Sequence, residues 1–282
     1  FKPIVYLSGL ESGFTPKSIF TDAPIKIDGW NPKNFDMKYR GDVTLKTALS
    51  QSINTVAIQV AQKVGLRHIN ETAKRLGINS QMSRDLSIAL GTSELTLMEI
   101  TSAYASFSNG GFATMPFGIL AITSGAGQVL YKRTGSGPGR VISIKQVHDM
   151  NYMLSAVLFE GTGRLAKLDI PAAGKTGTSQ NFRDAWFLGY TEQLITGVWV
   201  GNDNGSPMKS VTGGGLPARI WREAMIYAIR NPLIHINKRD KTRIISLDNI
   251  SKPLDSSIKK KIIPNLNFSL FSNISKSFIL LN

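Results

Sequence analysis

The stretch GKTGTS, residues 174–179, decides how the fold is interpreted, because a Gly-Lys-Thr run occurs both in phosphate-binding loops and in strands that line carboxylate pockets. A P-loop would require a glycine at position 169 and a helix directly after the lysine. Position 169 is an aspartate instead, and the following segment DAWFLGY, 184–190, alternates between two faces as a strand does. The run therefore predicts a strand and not a phosphate-binding loop.

Helical patterns fill the first part of the chain, and strand patterns fill most of the last third. Apolar spacing, caps and terminal glycines predict helices over about 1–11, 53–64, 67–76, 96–109, 147–160 and 216–230. Predicted strands are AAGKTGT (172–178), DAWFLGY (184–190) and LITGVWVG (194–201), with a hairpin near 117–133. Without an alternating βαβ pattern, the fold class is α+β, an antiparallel sheet flanked by helices.

Composition restricts the function classes. The chain of 282 residues has no cysteine, which excludes a thiol nucleophile, and its three histidines show no metal-ligand spacing. No metal or cofactor is expected. The formal charge of +14 raises the question of nucleic acid, but residues 231–282 alone hold nine Lys and Arg against three Asp. The rest shows no basic helix face, so nucleic acid is not expected as a partner.

The same change in composition divides the chain. Residues 1–230 are predicted to form one domain, and residues 231–282 a basic extension rich in Lys, Ile, Asn and Ser. A run such as the lysines at 259–261 is usually a solvated tail. We find no apolar run of the ~20 residues that a transmembrane helix needs.

Three short elements together suggest a catalytic site: Lys2 near the start of a helix, SIN at 52–54 before another helix, and KTGT at 175–178. Each alone has an ordinary structural explanation. Ser and Asn are common helix caps, and a lysine in a first turn is usually solvated. In this order, however, they follow the set S-x-x-K, S-x-N and K-T-G found in penicillin-binding proteins and class A β-lactamases.

Longer blocks extend this similarity over about residues 1–225. They are FKPIVYLSGLE (1–11), VTLKTALSQSINTVA (43–57), SIALGTSELTLMEITSAYASFSNGG (87–111), EGTGRLAKLDIPAAGKTGTS (160–179), DAWFLGYTEQLITGVWVGND (184–203) and GGGLPARIW (213–221). The chain thus resembles the transpeptidase domain of class A, bifunctional penicillin-binding proteins. The resemblance implies the fold shared by transpeptidases and β-lactamases.

The resemblance also assigns roles to individual residues. Lys2 would take the proton of a nucleophilic serine, with Lys175 as the second cation that lowers its pKa. Ser52 would pass a proton to the leaving amine, and Asn54 would bind Lys2 and the substrate amide. The KTGT strand would bind the substrate: Thr176 and Thr178 would hold its terminal carboxylate, Gly177 would let its backbone approach, and the N–H of Thr178 would serve the oxyanion hole.

One element of the pattern lies outside the sequence. The nucleophilic serine is expected three residues before Lys2, whereas the sequence begins at Phe1. Ser8 is too far along the chain to replace it, and Ser52 already has a role. We therefore expect the chain as given to be inactive and to be part of a longer protein with a membrane anchor and a glycosyltransferase domain.

The expected partners are peptidoglycan stem peptides that end in D-Ala-D-Ala, with β-lactams as covalent inhibitors. The expected location is the cell inner membrane, with this domain on the periplasmic side. Two alternatives stay open: a D,D-carboxypeptidase or β-lactamase-like hydrolase, and a non-catalytic peptidoglycan-binding scaffold. Against a β-lactamase, Ile53 stands where those enzymes favour Asp, and Glu160 is placed only to end a helix.

Overall fold

The computed structural model describes residues 1–134, residues 137–231 and the strand at 275–281. It confirms the predicted α+β class, with helices around antiparallel sheets. The helices are α1 (Lys2–Glu11), α2 (Leu45–Ser50), α3 (Asn54–Val64), α4 (Leu66–Arg75), α5 (Leu97–Ser108), α6 (Ile144–Phe159) and α7 (Leu216–Arg230). The strands are β1 (Ile19–Asp22), β2 (Gly41–Thr44), β3 (Ala121–Thr123), β4 (Val129–Lys132), β5 (Ala173–Thr178), β6 (Asp184–Tyr190), β7 (Ile195–Gly201) and β8 (Ser275–Leu281).

The main sheet has the strand order β5-β6-β7-β8 and is antiparallel throughout. A tight turn joins β6 to β7, in which the Thr191 N–H donates to the carbonyl of Leu194 at 2.8 Å. Among the strands that the structure describes, β5, which carries GKTGT, pairs only with β6 and forms an edge of the sheet. One side of β5 is thus left for other groups, as a binding strand requires.

Alternation along β6 separates two cores. Leu188 and Tyr190 belong to the larger core with the N-terminal helices, whereas Ala185 and Phe187 belong to the core beneath α7. On the α7 side, a side chain at Gly189 would lie 2.8 Å from the Trp221 ring. Lys175 is paired in register with Leu188, so it projects toward the helical side of the sheet.

Helix α1 is the centre of the helical part of the fold. Every residue from Pro3 to Leu10 is buried, as in a helix that is apolar on all sides. It packs against α3, α4 and α6. Pro3 lies in the first turn, where its missing N–H leaves no intrahelical bond unmade. This packing fixes the position of Lys2 at the first turn of the helix.

Some elements were not predicted from the sequence. Helix α2 has only six residues, which are too few to show a clear helical period in the sequence. Its N-cap residue is Thr44, whose side-chain oxygen accepts a hydrogen bond from the Thr47 N–H. Strand β8 lies within the predicted basic extension, yet it pairs with β7 along seven residues. The apolar run FILL at 278–281 was not predicted as a strand because the composition of the surrounding segment is polar. The division at residue 230 stays a prediction.

A buried carboxylate fastens the long connection between β1 and β2. The side chain of Asp22 is fully buried, and its oxygens accept hydrogen bonds from Asn34 Nδ2 at 2.7 Å, Thr55 Oγ1 at 2.6 Å and the Arg40 N–H at 3.0 Å. Because Thr55 lies on α3, Asp22 ties this connection to the start of that helix.

Replacing Asp22 with Ala should lower the free energy of unfolding by about 2–4 kcal/mol, since the donors of Asn34 and Thr55 would be left buried without an acceptor. Urea unfolding measures the change. Asp42→Ala is the matched control, because that carboxylate accepts an exposed bond from Thr21 Oγ1 at 2.7 Å. Its loss should cost less than about 1 kcal/mol. Equal losses in the two variants would contradict the role given to Asp22.

Candidate active site

The hydroxyl of Ser52 lies between two lysines. Lys2 Nζ is 3.1 Å and Lys175 Nζ 2.9 Å from Ser52 Oγ, although the lysines are separated from it by 50 and 123 positions in sequence. The structure therefore brings together the three elements that the sequence singled out: the first turn of α1, the loop before α3 and strand β5.

A sharp turn between α2 and α3 presents Ser52. Its φ is 59°, in the left-handed region that is uncommon for residues other than glycine. Two backbone bonds hold the turn: the Ser52 N–H donates to Leu49 O at 3.1 Å, and the Ile53 N–H donates to Ala48 O at 2.9 Å. Buried Ile53 follows, so the side chain of Ser52 is directed away from the core and toward the lysines.

Both the oxygen and the nitrogen of the Asn54 side-chain amide, at the start of α3, make hydrogen bonds. Its Oδ1 accepts from Lys2 Nζ at 2.6 Å, and its Nδ2 donates to the carbonyl of Lys33 at 2.8 Å. The helix has no cap from its own N-cap residue, and Asn34 takes that role from the preceding connection, accepting from the Asn54 N–H at 2.9 Å. Asn34 is the same residue that Asp22 binds.

Lys2 has three oxygen neighbours within hydrogen-bond distance. Besides Ser52 Oγ and Asn54 Oδ1, its Nζ is 2.7 Å from the carbonyl oxygen of Ser52. An ammonium would use its three N–H donors on these three oxygens. A neutral amine would donate to the carbonyl and to Asn54, and its lone pair would face the Ser52 hydroxyl. The site thus accommodates both protonation states of Lys2.

Burial favours the neutral form of both lysines, and for Lys2 the charge of Lys175 adds to this effect. Desolvation by burial, followed by the charge of Lys175, lowers the pKa of Lys2 well below its usual value. Burial lowers the pKa of Lys175 to about 7, and that side chain is only 3% exposed. In the described part of the chain, no ion pair to Asp or Glu involves either lysine. The surroundings therefore make a deprotonated Lys2, which can accept a proton, easier to form than a neutral lysine in water.

Strand β5 forms the wall beside Lys175. Lys175 Nζ also lies 3.1 Å from the carbonyl and 3.3 Å from the hydroxyl of Thr176. Thr178 Oγ1 accepts the Gly213 N–H at 3.0 Å, which leaves its own proton available for a ligand. A Cβ on Gly213 would lie 2.3 Å from the Gly177 carbonyl oxygen. The close backbone approach observed at Gly177 is therefore that of Gly213, and approach of a substrate stays a prediction.

Several contributors were missed by sequence reasoning. Thr162 Oγ1 lies 2.6 Å from Thr176 Oγ1, although no role was predicted for Thr162 from the sequence. Lys33 and Asn34 lie between the predicted elements, and no role was predicted for them from the sequence. The available signal for Thr162 was its position between two glycines, which often marks a close approach of backbones.

These features define a class of protein. An α+β fold in which a Ser-x-Asn turn faces an edge strand with Lys-Thr-Gly is the arrangement of transpeptidases and β-lactamases that react with penicillin. A family model for the penicillin binding protein transpeptidase domain matches residues 1–225. The chain therefore belongs to the penicillin-binding protein transpeptidase family, as its motifs predicted.

Relatives and solved structures agree with this assignment. Penicillin-binding protein 1A of Aquifex aeolicus (strain VF5) is 37% identical over 259 residues, covering 85% of this chain and 35% of that protein. Penicillin-binding protein 1A of Rickettsia prowazekii (strain Madrid E) is 32% identical, covering 94% of this chain and 36% of that protein. The crystal structure of penicillin-binding protein 1A from Haemophilus influenzae superposes with a TM-score of 0.74 at 28% identity, covering 82% of this chain and 41% of that one.

PonA1 from Mycobacterium tuberculosis in complex with penicillin V is also similar, with a TM-score of 0.75 and 25% identity over 82% of this chain and 68% of that chain. The chain spans only 35% and 36% of the two curated relatives named above. Among the described residues, no helix has both the length and the apolar character needed to cross a membrane.

Replacing Lys175 with Met should raise the pKa of Lys2, because the variant removes the nearest positive charge. The measurement is a pH titration of the lysine side chains by NMR in both proteins. Lys46→Met is the control, since Lys46 is ion-paired with Glu160 at 2.7 Å outside the site. An unchanged Lys2 titration in Lys175→Met would show that the two lysines are not electrostatically coupled.

The low pKa of Lys175 also predicts a pH dependence of stability. Because its pKa is about 7 in the folded protein and near 10.5 when unfolded, the unfolded chain binds more protons between these values. The contribution of Lys175 to the free energy of unfolding should therefore rise from pH 7 toward pH 10. Urea unfolding at pH 7, 8 and 9 should show a smaller rise in Lys175→Met. An equal rise of the free energy of unfolding with pH in both proteins would contradict the lowered pKa of Lys175.

Proposed function

We propose that this domain is the D,D-transpeptidase of a peptidoglycan synthase, acting through a serine acyl-enzyme on stem peptides that end in D-Ala-D-Ala. The observation that carries the proposal is the placement of the Ser52 hydroxyl between Lys2 and Lys175. Acyl transfer needs a nucleophile, a base, a proton donor for the leaving group and a clamp for the substrate. In this proposal Lys2 is the base, Ser52 is the proton donor, and the threonines of β5 form the clamp.

The nucleophile in this proposal is a serine three residues before Lys2, one turn earlier on the same helical face. Neutral Lys2 accepts the serine proton as the serine oxygen bonds to the carbonyl carbon of the penultimate D-Ala. The negative charge that develops on the carbonyl oxygen is stabilised by the N–H of Thr178 and that of the serine itself. Burial, followed by the nearby charge of Lys175, lowers the pKa of Lys2 and so favours the neutral amine that this step requires.

Ser52 completes the first half of the reaction. The C–N bond to the terminal D-Ala breaks, and its nitrogen takes a proton from the Ser52 hydroxyl, which Lys2 replenishes. The terminal carboxylate of the substrate binds to the hydroxyls of Thr176 and Thr178 and to the charge of Lys175. Asn54 holds the substrate amide while its Oδ1 keeps Lys2 in place.

In the second half, an amine of a neighbouring strand attacks the ester carbonyl and forms a C–N bond. The C–O bond to the serine breaks, and the proton that the amine loses passes through Lys2 to the serine oxygen. Hydrolysis would instead require a base that activates water. Glu160, a candidate in this part of the chain, is ion-paired with Lys46 at 2.7 Å and lies at the C-terminal end of α6. This placement gives no support to Glu160 as the water-activating base of a β-lactamase-like reaction, whereas the carboxypeptidase alternative is separated from transfer by analysis of the products.

In the whole protein, we propose that a membrane anchor and a glycosyltransferase domain accompany this domain, which would lie on the periplasmic side of the inner membrane. β-Lactams would acylate the same serine. The resemblance to class A penicillin-binding proteins supports this organisation. A scaffold that binds peptidoglycan without catalysis would have another residue in place of the serine.

The test is the intact mass of the longer protein after incubation with benzylpenicillin, followed by peptide mapping. We expect one adduct on the serine three residues before Lys2, a loss of at least ~100-fold in acylation rate in Lys2→Ala, and no adduct on the 282-residue chain. Lys46→Ala should react normally. Folded protein that forms no adduct would overturn the catalytic proposal and favour the scaffold.

A further inference from the structure

We propose that Thr162 is a positioning residue for carboxylate recognition: its hydroxyl donates to Thr176 Oγ1 and so directs the single Thr176 proton toward the substrate. This inference rests on the proposed function, in which Thr176 binds the terminal carboxylate. It concerns a residue outside the three motifs.

The contact is short and links separate parts of the chain. Thr162 Oγ1 and Thr176 Oγ1 are 2.6 Å apart, near the short end of hydroxyl hydrogen bonds. At this distance either hydroxyl can be the donor of the hydrogen bond. Thr162 is exposed and Thr176 is half-buried, so both face the open side of β5.

Counting donors decides the direction. A threonine hydroxyl has one proton to donate and two lone pairs to accept. A carboxylate only accepts, so Thr176 can bind it only with its own proton. Thr176 Oγ1 then accepts from its two other neighbours, Lys175 Nζ at 3.3 Å and Thr162. With Thr162 as donor, every hydrogen bond of Thr176 is satisfied and its proton is left for the ligand.

The backbone holds Thr162 in place for this task. Its N–H donates to the Ser50 carbonyl at 3.1 Å, two residues before Ser52. On its other side, a Cβ on Gly214 would lie 2.2 Å from the Thr162 carbonyl oxygen. A Cβ on Gly161 would likewise lie 2.2 Å from the Ser50 oxygen. Thr162 thus sits in a closely packed bridge between the Ser52 turn and strand β5.

The test compares substrates with and without the carboxylate. In the longer protein, Thr162→Val keeps the shape of the side chain but removes its hydroxyl, and Thr162→Ser keeps the hydroxyl. We expect Thr162→Val to slow acylation by benzylpenicillin about 5- to 10-fold, the effect of one lost hydrogen bond. Acylation by benzylpenicillin methyl ester should change less than about twofold, and Thr162→Ser should restore the rate.

A second measurement separates this proposal from the proposed function. Affinities for N-acetyl-D-Ala-D-Ala and its C-terminal amide are measured by calorimetry on the same variants. A selective loss for the acid in Thr162→Val supports the role of Thr162, even if wild-type protein forms no acyl-enzyme and the proposed function fails. If Thr162→Val lowers the affinities for the acid and the amide equally, or lowers neither, the proposed role of Thr162 is overturned. The proposed function is then unaffected, because it is tested by acylation of the wild-type protein.

Discussion

The convergence of two lysines on one serine hydroxyl is the constraint on which the site depends. Two ammonium groups held near a common oxygen repel each other, and burial removes the water that would screen them. The fold brings Lys2 and Lys175 together nonetheless, at 3.1 and 2.9 Å from Ser52 Oγ. The repulsion is relieved when one of them loses its proton, and a deprotonated lysine is the base that acyl transfer needs. The electrostatic cost of placing two lysines together thus favours the deprotonated lysine that the proposed reaction uses.

Holding these groups requires rigid support from three directions. Helix α1 is buried along its length, which fixes Lys2, and the sheet fixes Lys175 through its register with Leu188. The third group, Ser52, stands in a strained turn. Its support comes from a chain of contacts in which Asp22 binds Asn34 and Asn34 caps α3 at Asn54. A buried carboxylate remote from the chemistry therefore helps to place the amide that holds Lys2.

The sequence was sufficient for the features that depend on local pattern. Alternation in DAWFLGY predicted a strand with two faces, and the structure places Leu188 and Phe187 in different cores as that pattern requires. Apolar spacing found α3, and the capping box found α5. The family, too, followed from motifs that occur in a fixed order. These properties are local because each is set by neighbours within one or two turns of chain.

Contacts between distant segments could not be predicted in the same way. The left-handed Ser52 has no sequence signature, since glycine is the usual residue for that conformation. Strand β8 depends on a free edge of β7 rather than on its own surroundings. The hydroxyl pair Thr162 and Thr176 exists because glycines at 161 and 214 allow two backbones to approach closely. Each glycine by itself suggests only a turn.

Edge position explains why strand β5 can serve as both a wall and a recognition element. A strand inside a sheet uses its backbone groups on two neighbours, whereas β5 pairs, within the described part of the chain, with β6 alone. The glycine loop at 213–215 occupies part of the β5 surface, where Gly213 donates to Thr178. That bond uses an acceptor site of Thr178, and Lys175 Nζ lies within hydrogen-bond distance of Thr176 Oγ1. In the proposed arrangement, Thr162 donates to Thr176, and both threonines then direct their protons to the substrate. A carboxylate is a ligand that fits such a pair of hydroxyl donors beside a lysine.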